Sequence, residues 1–182
     1  MPLEDGMDFC YVLYVRTGHE EKVRLLLVNR LEKELFTPFI PKKIMVFRRQ
    51  GKYSKVHRVC FPGYVFIKSV LPPATFISRM FPVVYPIREV FRFLHYGSDR
   101  NDVALRDNER YSLLQLLDDT YTINCVIGIK NGDRIQIISG PFIGKEGTVK
   151  KVNPRKREVI IEIEIFGNSN LATLGLDIVE AV

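Results

Sequence analysis

Ten lysines and arginines lie between Glu34 and Glu89, with no acidic residue among them. Lys42, Lys43, Arg48, Arg49, Lys52, Lys55 and Arg58 are interleaved there with Phe47, Tyr53 and His57. Cations this dense can meet phosphates, and rings between them can stack on unpaired bases. A solvated hairpin tip would carry the same residues, so the pattern alone leaves both readings open. A second basic cluster comprises Lys145, Lys150, Lys151, Arg155, Lys156 and Arg157, opposed only by Glu146. It too fits either a nucleic-acid face, with salt-steep affinity, or an ordinary charged surface. The third constellation is apolar: Phe61-Pro62-Gly63-Tyr64-Val65-Phe66-Ile67. Alternation sets Tyr64 and Phe66 on one side and Val65 and Ile67 on the other, so both faces seek cover. That fits a fully buried central strand, or a strand with one face in a core and one lining a groove for an apolar partner.

Nothing in the chain resembles a catalytic constellation. His57 and Cys60 form a close thiol–imidazole pair without a third polar partner. Gly140, Gly144 and Gly147 lack the spacing of a phosphate loop, and no helix is expected after them. His19 and His95 lack metal-ligand spacing, and no carboxylate pair suits acid–base work. The expectation is a protein with no enzymatic activity, catalytic residue, metal or cofactor.

The elements that position these clusters follow from pattern. Residues 9–16 read as a strand broken by Thr17-Gly18. A helix follows, with Glu20 and Glu21 in its first turn and Val23, Leu26, Leu27, Leu31 and Leu35 on one stripe, ended by Thr37-Pro38. Residues 42–49 and 52–58 are the arms of a hairpin turning at Gln50-Gly51. The Phe61–Ile67 strand runs to about Lys68. Pro72-Pro73 starts a short helix through Met80, which Phe81-Pro82 stops. Residues 83–95 read as extended, Tyr96 to Asp99 as a turn, and 106–118 as a helix with Leu113, Leu114, Leu116 and Leu117. Beyond residues 119–124, short and polar, come strands at 133–138, 146–152, 157–165 and 176–181. The fold class is α+β: an N-terminal sandwich of helices on an antiparallel sheet over residues 1–118, and a small C-terminal β-barrel over 125–182.

With 182 residues, 46% of them hydrophobic and 11% aromatic, the chain can bury a real core. Its net charge of +6 favours anionic partners, nucleic acid before membrane. No apolar run reaches spanning length. The acidic start lacks the layout of a signal peptide, and Cys10, Cys60 and Cys125 are too scattered for a disulfide framework. A cytoplasmic protein with reduced, structural cysteines is expected.

The run Gly132-Asp133-Arg134-Ile135-Gln136-Ile137-Ile138-Ser139-Gly140-Pro141-Phe142-Ile143-Gly144-Lys145-Glu146-Gly147-Thr148-Val149 resembles the KOW motif of the NusG transcription factors. Tyr11-Val12, Gly18-His19-Glu20-Glu21-Lys22-Val23 and Phe61-Pro62-Gly63-Tyr64-Val65 resemble the opening strand, first helix and central strand of their NGN domain. The housekeeping form ends its KOW region Phe-Gly-Arg-x-Thr-Pro-Val-Glu-Leu. Here the run is Phe166-Gly167-Asn168-Ser169-Asn170-Leu171-Ala172-Thr173-Leu174, and the family's opening Trp-Tyr is Cys10-Tyr11. The departures are similar to those of specialised paralogs, among them the LoaP antiterminators.

The resemblance implies a transcription elongation or antitermination factor acting as a monomer. Phe61, Tyr64 and Phe66 would grip the β′ clamp helices of RNA polymerase. Arg48, Arg49, Lys52, Lys55 and Arg58, with Lys145, Lys150, Lys151, Arg155, Lys156 and Arg157, would meet a nascent RNA hairpin, or upstream DNA on the hairpin side. Phe166 falls where housekeeping relatives dock a ribosomal protein, a coupling that Asn168 and Thr173 put in doubt. The alternatives are a housekeeping factor joining polymerase to ribosome or termination factor, and a ribosome- or RNA-binding KOW protein with no polymerase role.

Overall fold

Strand β1 (Phe9–Val15), helix α1 (Glu20–Arg30) and strand β2 (Phe36–Phe39) open the chain in a computed structural model that describes residues 9–131, 134–143 and 149–179. A basic hairpin follows, β3 (Lys42–Arg49) and β4 (Lys52–Val59), and then β5 (Tyr64–Ser69), α2 (Pro73–Val84), β6 (Val90–Phe93) and α3 (Asp107–Leu114). The C-terminal part holds β7 (Thr122–Ile123), β8 (Val126–Asn131), β9 (Arg134–Ser139), β10 (Val149–Asn153), β11 (Glu158–Ile165) and β12 (Asn168–Val179). The class is α+β. Two compact units emerge: Met1–Ile40 with Phe61–Arg110, and Pro41–Cys60 with Tyr111–Val182.

The first unit is an antiparallel sheet in the order β2-β5-β1-β6. Its centre is the β1–β5 pair, where Tyr11 faces Ile67, Val12 faces Phe66 and Tyr14 faces Tyr64. Tyr11 is fully buried, its ring stacked on Phe76 of α2 at 3.5 Å and its hydroxyl donating to the Leu71 carbonyl at 2.6 Å. Several elements differ from the expected pattern; of the extended run expected at 83–95, residues 83 and 84 belong to α2 and only Val90–Phe93 is a strand. Helix α1 stops at Arg30, because Leu31 is already extended, and Pro38 lies in β2, an edge strand where a missing N–H costs no ladder bond. Helix α2 runs through Pro82 to Val84, since Phe76, Met80 and Val84 sit one turn apart and are all buried; that packing outweighs one lost backbone bond. Helix α3 ends at Leu114.

The second unit joins the hairpin to the C-terminal strands. β3 and β4 pair from Lys42–Val59 to Arg49–Lys52, and the turn has Gln50 and Gly51 both at positive φ, which suits a two-residue hairpin loop. β7 adds to β3 in parallel, Lys42 facing Thr122 and Lys43 facing Ile123. Asp118 shapes the approach: its carboxylate accepts from the Thr120 N–H and hydroxyl, the Thr122 N–H and the Asn124 side-chain amide. The other sheet runs β10-β11-β12-β8-β9, a curled half-barrel. In β11, Val159, Ile161, Ile163 and Ile165 are buried while the residues between them are not, the alternation of a half-covered strand. Of the expected strand at 176–181, residues 176–179 are the end of the much longer β12 and residues 180–181 lie outside the described residues; β8 is a further strand beyond the expected pattern.

All three cysteines are free and buried. Burial pushes the Cys10 and Cys60 thiols up to about 12, against the opposing pull of Arg110 and Lys68 on the former and Lys43 on the latter. Iodoacetamide at neutral pH should therefore leave both unmodified in the native protein and label them in denaturant. Mass spectrometry reads the difference; fast native labelling of either would contradict the packing.

Candidate functional site

Around β5 the structure separates the three expected aromatic residues. Phe66 is fully buried and Phe61 is only 5% exposed, their ring centroids 5.7 Å apart, with Phe39 5.6 Å from Phe66. Tyr64 is half-buried, and its ring meets that of Tyr14 edge-on at 6.0 Å.

Tyr14 extends the apolar surface outward. It is 38% exposed and lies 5.3 Å from Phe91, itself 54% exposed. The β1–β6 register explains this meeting: Tyr14 faces Arg92 but Val15 faces Val90, so Phe91 is the extra residue of a bulge. A bulge re-aims a side chain, and here it brings Phe91 to the Tyr14 face. The Arg92 guanidinium also lies over the Tyr14 ring, 5.9 Å from its centroid. Phe91 further lines a cleft of about 680 Å³ with Phe81, Tyr85, Ile77, Arg100 and His95, whose Nδ1 is buried without a hydrogen-bond partner among the described residues. Tyr14, Phe91, Phe81 and Tyr85 were missed from sequence. The signal for Tyr14 was present in the alternation of β1, but the Phe91 bulge leaves no trace in the pattern.

A buried carboxylate fixes the turn before Tyr64. Glu20, 4% exposed, accepts from the Gly63 N–H at 2.6 Å, and the Gly63 carbonyl accepts from the Val15 N–H at 2.7 Å.

The basic residues divide by face and by partner. Along the hairpin, Arg49, Lys52, Phe47, Lys43 and Arg58 share one face, and Arg48, Tyr53, Val46 and Lys55 share the other. Arg58 lies over Phe47 at 6.0 Å and Arg48 over Tyr53 at 5.8 Å. Lys55 is ion-paired to Asp177 at 2.8 Å. In the C-terminal sheet, Lys150 is paired with Glu162. Lys151, Arg155 and Lys156 are exposed, and Arg157 is largely covered. Lys145 lies outside the described residues, as do Gly144 and Gly147. Phe166 is 7% exposed in the turn between β11 and β12. Among the described residues no group of His, Cys, Asp or Glu is placed to hold a metal ion, and no helix is long and apolar enough to cross a membrane.

The family model described as transcription termination factor nusG matches residues 10–114, and the KOW motif model matches residues 131–164. The first match runs through the hairpin that packs with the C-terminal strands. The transcription termination/antitermination protein NusG of Thermus thermophilus is 28% identical over 166 residues, covering 86% of this chain and 89% of the relative. Its namesake from Staphylococcus carnosus is 26% identical, covering 99% of both. A crystal structure of an MjSpt4:Spt5 complex aligns at 17% identity and a TM-score of 0.33, covering 91% of this chain and 92% of that one. The first family model spans more than half of the sequence with a KOW motif following in order, and the chain belongs to the NusG family of non-enzymatic transcription elongation and termination factors.

Proposed function

We propose that the first unit docks on RNA polymerase through the Tyr14–Tyr64–Phe91 ring cluster, and that the protein is a specialised, LoaP-like paralog that suppresses pausing and termination in the cytoplasm. The observation that carries the docking is an exposed aromatic patch assembled by a strand register and a bulge. Such a patch suits the apolar side of a helical partner, here the β′ clamp helices. Phe61 and Phe66, both buried, are core in this reading and not contacts. Preference for the closed clamp over the open one supplies the mechanism, since a factor shifts a conformational balance only by its differential affinity. Basic residues of the second unit then meet a nascent RNA hairpin. In this reading 1–118 is the polymerase-binding module and 125–182 the second, joined by 119–124, and the departures at Asn168 and Thr173 favour operon-specific action over coupling to ribosomes.

The test is binding to purified RNA polymerase. Tyr64→Ala combined with Phe91→Ala should weaken it at least about tenfold, as expected for removing two partly exposed rings from an interface. The melting temperature should move little. Unchanged affinity would remove the docking surface from the reading.

A further inference from the structure

The hairpin and the C-terminal half-barrel are interlocked. Gly175 of β12 sits so close to β3 that a Cβ there would lie 2.8 Å from the Val46 nitrogen and 2.9 Å from the Ile44 oxygen. Only glycine permits backbones to approach in this way. Beside that contact, the Arg157 guanidinium stacks on the Tyr53 ring of β4, 3.6 Å from its centroid. Asp177 holds Lys55 of β4 at 2.8 Å and Arg157 at 3.8 Å. Arg157 closes the turn between β10 and β11 with φ of 54°, and its carbonyl accepts from the Leu176 N–H of β12 at 2.7 Å. Tyr53, Lys55, Arg157 and Asp177 therefore tie the hairpin near its tip to the turn that carries Arg155 and Lys156.

This tie uses Lys55 and Arg157 internally. Arg49 and Lys52 at the hairpin tip, and Lys151, Arg155 and Lys156 on the barrel side, are exposed and make no ion pair among the described residues. Phe47, 42% exposed, lies with Arg49 and Lys52 on one face of the hairpin, and Tyr53, 50% exposed, lies on the other face against Arg157.

We infer that the hairpin tip and the residue 153–157 turn form one composite RNA site, with Tyr53, Arg157, Asp177 and Gly175 as positioning residues that hold its two basic arms together. The inference rests on the reading of the second unit as RNA-binding. It prefers RNA with unpaired bases because rings next to cations stack on bases while the arms meet phosphates. Two contacts held at fixed separation bind one strand with high effective concentration; two contacts free to part do not.

The test measures the full-length chain against a fluorescein-labelled RNA stem-loop by anisotropy over a series of salt concentrations. Arg49→Ser with Lys52→Ser, and separately Arg155→Ser with Lys156→Ser, should each lower affinity and reduce the salt slope by about two, one per lost phosphate contact. Tyr53→Ala and Gly175→Val remove no charge, yet each should lower affinity and slope as much as losing one arm. In either background the hairpin charge variant should cost nothing further. Tyr53→Phe keeps the stack and should restore binding. If Tyr53→Ala and a folded Gly175→Val leave affinity and slope unchanged while the charge variants act, the composite site falls and RNA binding stands. If no variant changes binding, both fall. Equal binding of a DNA duplex of the same sequence, with the same slope, would overturn the assignment to RNA.

Discussion

Phe66→Ala should lower the unfolding free energy of the first unit by about 3–5 kcal/mol, the usual cost of emptying a buried phenylalanine site. The ring is fully buried, paired across strands with Val12 on one side and Phe39 on the other, and packed 5.7 Å from Phe61. Little of that volume can be refilled, because the neighbours are strands pinned in register. Tyr64→Ala should cost no more than about 1 kcal/mol, since half-exposed positions away from special geometry rarely cost more. Urea unfolding followed by far-ultraviolet circular dichroism separates the two variants, and pull-down with purified polymerase gives the second readout. Phe66→Ala should lose binding only as it loses structure. A Phe66→Ala protein that unfolds at the wild-type urea concentration yet fails to bind would make the ring a direct contact instead of core.

This contrast shows what the sequence made legible. The alternation in Phe61–Ile67 identified a strand with two apolar faces, and the structure gives that strand a central place between β1 and β2. Periodicity cannot say which apolar side chains stay at the surface. That depends on register with strands far away in the chain, and on a one-residue bulge at Phe91 that only the pairing with β1 defines. The hairpin was readable because Gln50-Gly51 sits between two arms of matched length. Its attachment to β12 was not, because Gly175 is one small residue within a long strand and its role is set by the backbone lying against it. Helix α2 exceeded its expected end for a related reason: a local stop at Pro82 yielded to the burial of Val84. Charge was legible as a density of cations but not as a set of ligands, since Asp177 claims Lys55 and Arg157, and Glu162 claims Lys150.

The second large effect is expected at Gly63. Its φ of +86° lies in the left-handed region, which costs an L-residue roughly 1–2 kcal/mol. An added Cβ would also sit 3.2 Å from the Thr17 hydroxyl and 3.4 Å from the Val15 carbonyl, so neighbours must give way. Both backbone groups of Gly63 are engaged, its N–H by Glu20 and its carbonyl by Val15, and a shift of the turn strains both bonds. Gly63→Ala should therefore cost about 2–4 kcal/mol, combining strain with overpacking. Gly63→Asn should be milder in its backbone term, because asparagine tolerates the left-handed region better. Glu20→Ala should cost about 1–3 kcal/mol by leaving a buried N–H unpaired, and Glu20→Gln, which keeps an acceptor oxygen, should recover part of it. The effect reaches function because Gly63 directly precedes Tyr64: a displaced turn moves that ring away from Tyr14. Stability and polymerase affinity should fall together across Gly63→Ala, Gly63→Asn and Glu20→Ala, in order of the strain each introduces. Affinity that stays constant while stability falls across the three would show that the Tyr64 ring does not need this turn, and would detach the Glu20–Gly63 bond from the docking surface.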